Sequence, residues 1–594
     1  MRTCTACALI IIIAVAANAQ SSPIRKKLIE YGWDTPDCAY IRQHIREMEK
    51  TPFDGLIFHL PHWVGSASIF TKAKWDEAQF EQAFEDCRKI EWKKFTDNFI
   101  IVLAASDMDW FSDEDWEAVT YHLGIVAKCA ALARCRGICF DAEPYGNNPW
   151  QYSSQPRASE KTFTEYEAIV RQRGAQFARV VQQHLPKAVI HTFFQLSLFP
   201  QIIKESSPEK RQQRLAQEGY GLLPAFLNGM LDAAGPGVRI TDGNEPAYYY
   251  TSPKQYDDVR KMVKKDAPVM LAPENIGKYR KHMQMSQALY VDYVFGLGVW
   301  GQRSSPAPML SPEDRARWFE HNTYHALRTA DEFVWLYSEK MNWWTHTDLP
   351  PGLEQAVRSA KQKIAQGTRL GFEVAPLLQS AKDRRQAELR AKLITRSAEI
   401  AKLASAPPVI DGNLGDAAWQ QVTLLDPFVP YVAIGDKAKV ETRARVTYDD
   451  RNLYVAVRCP EPKVGEMTLI GERRDDPVWE GDSVDVFLSQ GEAPTPHVHL
   501  ILSPRNVQWD ALFTDRNVVD FNPKWQSATL IGDAEWTAEI AIPWSEVKMK
   551  PPAPGERHRA NVCRQRRPDS EQTSWSQTFD GFCEPENFGT WTFR

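Results

Sequence analysis

Little in this chain argues for a charged partner. The formal net charge is −5 over 594 residues and no long basic run interrupts it, which argues against nucleic acid or an anionic membrane as a partner. Beyond the N-terminus no segment approaches the ~20 apolar residues that cross a bilayer. Apart from Cys4 and Cys7 the cysteines form no C-x-x-C pair, and no His-rich cluster suggests a zinc site. There is neither an internal repeat nor a low-complexity tract. What is present is a globular composition, 43% hydrophobic and 25% charged, on a length that points to two or three domains. The 20 Trp and 19 Tyr exceed ordinary packing needs and suggest stacking surfaces.

The first residues, MRTCTACALIIIIAVAANAQ, place one Arg before a short apolar run and an A-x-A pattern at Ala17–Ala19. This reads as a secretory signal peptide over 1–19, so a secreted or periplasmic protein without a transmembrane segment is expected. Eight cysteines remain, and export permits disulfides, whose pairing the sequence does not disclose.

From residue 27 to about 370, strand-length apolar runs alternate with amphipathic helical patterns. Strands are expected at 27–33, 55–60, 98–105, 137–143, 188–195, 238–243, 268–272 and 333–338. GLGVWGQ (296–302) is a further candidate for the eighth or a ninth strand. The expected fold is α/β, a (β/α)₈ barrel over 20–375, with catalytic groups where strands end. An Ala-, Arg-, Lys- and Glu-rich stretch over 376–406 reads as a helical connector ending at Pro407-Pro408. After it come short alternating strands with Asp, Asn, Gly and Pro turns, the pattern of an all-β sandwich over 407–594.

In that second region PPVIDGNLGDAAWQ, VTYDDRNLYVAVRC, DDPVWEGDSVDVFLS, WTAEIAIPWSEV and NFGTWTF occur in the order found in family 9 carbohydrate-binding modules, which the region resembles. The resemblance implies a sandwich that clamps a sugar ring between aromatic faces, and structural calcium. Trp479, in a polar segment, and Trp575 are the stacking candidates, with Asp482 or Arg564 as hydroxyl partners. Trp419, Trp536, Trp544 and Trp591 occupy the family's packing positions.

In the barrel region the decisive stretch is GICFDAEPYGN. Strand alternation puts Cys139, Asp141 and Glu143 on one side and Ile138, Phe140 and Ala142 on the other, so two carboxylates point into the barrel mouth. Their mutual repulsion raises one pKa, as a general acid at neutral pH requires. Other strand ends add Asp34, His59, Asp242, Glu245, Tyr248, Glu274 and Glu339. Acids with aromatics on one face are glycosidase chemistry: a proton donor, a second carboxylate and rings to hold sugars. Glu143 is expected as general acid, Asp141 as its modulator and Glu245 as nucleophile or base. The rest are expected to bind substrate, and no cofactor is required for catalysis. D-A-E-P resembles the Asn-Glu-Pro of clan A glycoside hydrolases, with Ala142 in place of Asn. It also resembles the D-x-E of family 18 chitinases, without their longer acidic run. The readings are therefore a glycoside hydrolase with an appended sugar-binding module, a substrate-assisted N-acetylhexosaminidase, or a non-catalytic glycan-binding protein.

Overall fold

The computed structural model describes residues 26–62, 67–104, 106–298, 305–431, 437–514, 518–579 and 581–594. The expected signal peptide, Ala105 and residues 299–302 of GLGVWGQ lie outside them. The chain divides into two compact units, one ending at Asp383 and the other spanning Arg384–Arg594.

In the first unit the strands are β1 (Lys27–Gly32), β2 (Gly55–Phe58), β3 (Phe99–Leu103), β4 (Gly137–Asp141), β5 (Val189–Thr192), β6 (Arg239–Asp242), β7 (Met283–Met285), β8 (Gln287–Tyr290) and β9 (Phe333–Ser338). All pair in parallel, in the order β7-β6-β5-β4-β3-β2-β1-β9-β8. Ser286 alone separates β7, which pairs with β6, from β8, which pairs with β9. The run 283–290 therefore acts as one bent stave that joins the two ends of the sheet. Eight stave positions result, the (β/α)₈ barrel expected from the alternating pattern.

The expected seventh strand at 268–272 is corrected: Ala267–Met270 is a 3₁₀ turn with Pro268 at its start, and the stave lies in MQMSQALY. A barrel strand is buried on both faces and usually reads as a continuous apolar run. Here the polar positions are tolerated because each makes at least one side-chain hydrogen bond. Gln284 donates to Glu332, Ser286 Oγ to the Phe333 carbonyl, and Gln287 donates to Thr329 while accepting from Asn244.

β4 shows why the alternation argument works. Phe140 packs outward against Phe177 of the helix Phe163–His184 and Phe226 of the helix Leu223–Ala233, at centroid distances of 5.0 and 5.7 Å. That leaves Cys139 and Asp141 to the interior. Gly137 opens the strand because a Cβ there would lie 1.8 Å from the Val189 carbonyl oxygen of β5.

The second unit is a sandwich of two mainly antiparallel sheets. One runs through Ser397–Ile400, Gly589–Phe593, Arg557–Arg566, Ser483–Ser489, His497–Leu502, Gln508–Phe513 and Val518–Asp520, with Glu571–Ser574 beside Arg557–Arg566 and Val429–Pro430 beyond it. The other contains Thr423–Leu425, Arg443–Tyr448, Asn452–Pro460, Glu535–Pro543 and Gln526–Ile531. Trp419, Trp536, Trp544 and Trp591 are buried, as the packing reading expected. The 376–406 connector needs one correction. A helix covers Ala375–Arg390, but Ser397–Ile400 is already a sandwich strand, paired in parallel with Gly589–Phe593. Composition concealed it because three of its four side chains are not buried.

Candidate active site and sugar-binding cleft

A cavity of about 670 Å³ opens at the C-terminal ends of the barrel strands, lined by Tyr31, Trp33 and His59, by Glu143 and Tyr145, by Glu245, Tyr248 and Tyr249, and by Tyr290, Tyr337 and Glu339. Three of the expected carboxylates thus converge, with His59 and Tyr248. No Lys or Arg lines the cavity among the described residues.

Asp141 ends β4 and is fully buried beneath Glu143. Its Oδ1 accepts the Glu143 amide at 2.9 Å and its Oδ2 lies 3.0 Å from the Tyr145 hydroxyl. Burial first, and then the Glu143 charge, push its carboxyl up to about 7. Tyr145 also reaches Glu143 Oε2 at 2.5 Å. This tyrosine was missed in the sequence, although its place two residues after Glu143 in E-P-Y was the available signal.

Glu245 is delivered by the turn after β6. Gly243 has no room for a side chain, since a Cβ would sit 2.2 Å from the Thr192 carbonyl oxygen, and Asn244 adopts left-handed backbone (φ 48°). The Trp335 indole donates to the Gly243 carbonyl at 2.9 Å and fixes the turn. Among the described residues the Glu245 carboxylate has no hydrogen-bond donor. Burial, followed by the charges of Glu143 and Asp141, pushes it up to about 8. Glu339 receives the Tyr290 hydroxyl at 2.6 Å, and Asp292 anchors its loop by accepting the Glu339 and Lys340 amides.

Aromatic rings form the wall. Tyr248 stacks on Tyr337 (5.7 Å, 15°) and meets Tyr290 at 4.8 Å, while Tyr31 packs against Phe193 at 4.8 Å. Trp33 stands 70% exposed at the rim, its indole donating to Tyr337 Oη at 2.8 Å.

Three expected binding residues serve the scaffold instead. Asp242 is fully buried and accepts from the Ser197 amide and hydroxyl and from the Gln195 and Asn244 amides, which ties the β5 and β6 loops together. Asp34 accepts the Trp343 amide at 2.7 Å, and its other oxygen shares a buried space with Glu30. Burial, then the Asp34 charge, raises the Glu30 carboxyl well above the carboxylate range. Glu274 lies in a 3₁₀ turn and pairs with Arg171 at 2.7 Å, outside the cavity lining. A strand-end carboxylate looks the same in sequence whether it meets solvent, backbone amides or an arginine.

In the sandwich a shallower cleft of about 370 Å³ is lined by residues that include Tyr431, Trp479, Asp485, His499, Trp509 and Phe582. Trp479 is 43% exposed and stands edge-on to Trp509, with centroids 5.4 Å apart. Gln565 donates to the Trp479 and Gly481 carbonyls, holding the turn that presents the ring. His499 Nε2 lies 2.8 Å from Asp485 Oδ2. Trp575 is corrected: it is 2% exposed, in the core near Trp591, with Gly589 leaving room for its ring. Asp482 and Arg564 are likewise interior, Asp482 accepting the Thr468 amide and Arg564 pairing with Glu461. Trp509, His499 and Tyr431 were missed, since nothing in their local sequence separates a cleft ring from a core ring.

Residues 410–593 match the family model for the carbohydrate family 9 binding domain-like group. The family-9-like region is also similar to a family 9 carbohydrate-binding module from Caldicellulosiruptor kristjanssonii in complex with cellotriose. That likeness is 17% identical, covers 34% of this chain and 94% of the other, and has a TM-score of 0.26. The barrel is similar to a GH18 chitinase from Pseudoalteromonas aurantia (10% identity, 57% and 99% covered, TM-score 0.28). It is also similar to a sugar phosphate isomerase/epimerase from Parabacteroides distasonis (11%, 57% and 98%, TM-score 0.26). No curated protein matches the chain. Among the described residues no three His, Cys, Asp or Glu side chains converge, and Glu539 is already taken up by the Asp411 and Gly412 amides and the Trp419 indole.

Proposed function

We propose that this protein is an exported glycoside hydrolase whose barrel cleaves a neutral poly- or oligosaccharide and whose family-9-like domain holds the same material through the Trp479–Trp509 cleft. The observation that carries the reading is the pair Glu143 and Glu245, borne by the loops after β4 and β6 and lining one aromatic-walled cavity. A glycosidase needs one carboxyl protonated and the other ionised.

In this reading the two roles run in the opposite sense to the sequence expectation. Glu245, buried beside two acids and without a donor, is the group that keeps its proton at neutral pH and gives it to the glycosidic oxygen. Glu143, receiving the Tyr145 hydroxyl, is the carboxylate that attacks the anomeric carbon or activates water. The tyrosine wall and Trp33 offer faces to the C–H side of a sugar ring. No Lys or Arg is among the described lining residues, although the Lys340 ammonium lies over the Trp33 ring at the rim, and a neutral sugar suits the three cavity carboxyls better than a uronate or sulfate ester. The hexosaminidase alternative needs Asp141 to meet an acetamido group, and a fully buried Asp141 has no surface to offer.

The test compares aryl glycosides of different leaving-group acidity. Glu245→Gln should keep activity within about tenfold of wild type on 2,4-dinitrophenyl glycosides, which need little protonation, and lose about 10³-fold on unactivated ones. Glu143→Gln should lose both. The opposite pattern would return the proton-donor role to Glu143, and unchanged rates in both variants would favour a non-catalytic glycan-binding protein.

A further inference from the structure

Tyr145 Oη lies 3.0 Å from Asp141 Oδ2 and 2.5 Å from Glu143 Oε2. A phenol has one proton, and an ionised carboxylate only accepts. With both acids ionised, one of these contacts would set lone pairs against each other at hydrogen-bond distance. One more proton removes the conflict, so the three residues hold two protons between two carboxyls and a phenol.

The surroundings say where the second proton resides. Asp141 is the buried member, faced by Tyr31 from β1, Cys139 from its own strand, Tyr220 from the segment before the helix Leu223–Ala233, and Glu245 and Glu143 from the cavity. None of these is a cation. Glu143 reaches the cavity, whereas Asp141 is absent from its lining. The uncharged form therefore belongs on Asp141.

We propose that Asp141 works as a neutral carboxylic acid and Tyr145 as a positioning residue: Asp141 Oδ2–H donates to Tyr145 Oη, Tyr145 donates to Glu143 Oε2, and the chain holds the Glu143 carboxylate toward the cavity. Only one oxygen of Glu143 is then spent on the protein, and the other is free for the sugar. The second oxygen of Asp141 accepts the Glu143 amide, so one buried acid fixes both the backbone and, through the tyrosine, the side chain of the same residue. When Asp141 ionises the chain breaks, because Tyr145 must then choose between two acceptors.

An asparagine reproduces this neutral acid: its carbonyl can take the Glu143 amide and its NH₂ can donate to Tyr145. In the full-length protein, infrared titration should show a protonated-carboxyl band lost with a midpoint of about 7 that is missing from Asp141→Asn. The same band persisting in that variant would overturn the proposal. The activity arm rests on the glycosidase reading. On the best 4-nitrophenyl glycoside at pH 6, Asp141→Asn should stay within about threefold of wild type, and its basic limb should move up by about one pH unit, toward the range set by Glu245. Asp141→Ala and Tyr145→Phe should lose about 100-fold in kcat, the scale of one donor aimed at a reacting carboxylate, with KM little changed. Asp141→Asn as inactive as Asp141→Ala, in a folded protein by circular dichroism, would make Asp141 a base and end the neutral-acid account. If wild type hydrolyses no glycoside at all, the glycosidase reading fails while the infrared arm still decides the chain.

Discussion

Replacing the proposed acid should stabilise the barrel. Glu245 has no donor to lose, so Glu245→Gln replaces a carboxyl that must take up a proton on folding at neutral pH by a neutral amide and leaves no hydrogen bond broken. Burial and the neighbouring acids push the folded-state value up to about 8, against an ordinary 4.5. A carboxyl raised in this way binds more protons folded than unfolded between those values, so its contribution is complete below 4.5 and declines as pH rises toward 8. At about 1.4 kcal/mol per pH unit, the deficit at pH 7 has a ceiling of roughly 3 kcal/mol, and coupling to Glu143 and Asp141 brings it nearer to 2. With an unfolding entropy of ~2.1 cal/mol/K per residue over roughly 360 residues, that is a rise in Tm of about 3–4 °C. Differential scanning fluorimetry of the full-length protein at pH 5 and pH 7 measures it. The variant should nearly match wild type at pH 5 and exceed it at pH 7. An equal gain at both values would trace the effect to something other than titration, and a loss at pH 7 would refute the burial argument.

The sandwich offers two contrasting substitutions. Trp479→Ala or Trp509→Ala should weaken oligosaccharide binding by about tenfold or more, from ~1.5 kcal/mol of lost ring contact, with little change in Tm. Isothermal titration of Glu143→Gln protein reads this without turnover, and unaltered affinity would remove the sugar from that cleft. Trp575→Ala should instead cost about 3–5 kcal/mol of stability in urea unfolding, because it empties a core position. A loss of sugar affinity without loss of stability would restore Trp575 to the ligand.

Much of the architecture was legible because it rests on periodic signals. Seven of the staves lie in strand-length stretches whose apolar residues and flanking turn residues the alternating pattern picks out. The eighth, MQMSQALY, does not, since its glutamines and serine are paid for by Glu332, Phe333 and Thr329, partners distant in sequence. The site divides in the same way. Alternation along GICFD was enough to send Asp141 inward, because side-chain direction in a strand is set by local backbone geometry, whereas Glu143 lies on the loop just beyond the strand.

What each inward acid does depends on neighbours that no local pattern encodes. Asp242, Asp34 and Glu274 are acids that sequence places at strand ends like Glu245, yet four donor contacts hold the first, the Trp343 amide the second, and Arg171 the third. Trp479 and Trp575 both sit in polar segments, yet one ring is in the cleft and the other in the core. The sequence by itself determined the two folds and the inward direction of Asp141, since those follow from spacing. Tertiary structure alone decided how deeply each carboxyl is buried and which ring meets solvent, because burial and charge proximity are sums over residues brought together from separate strands.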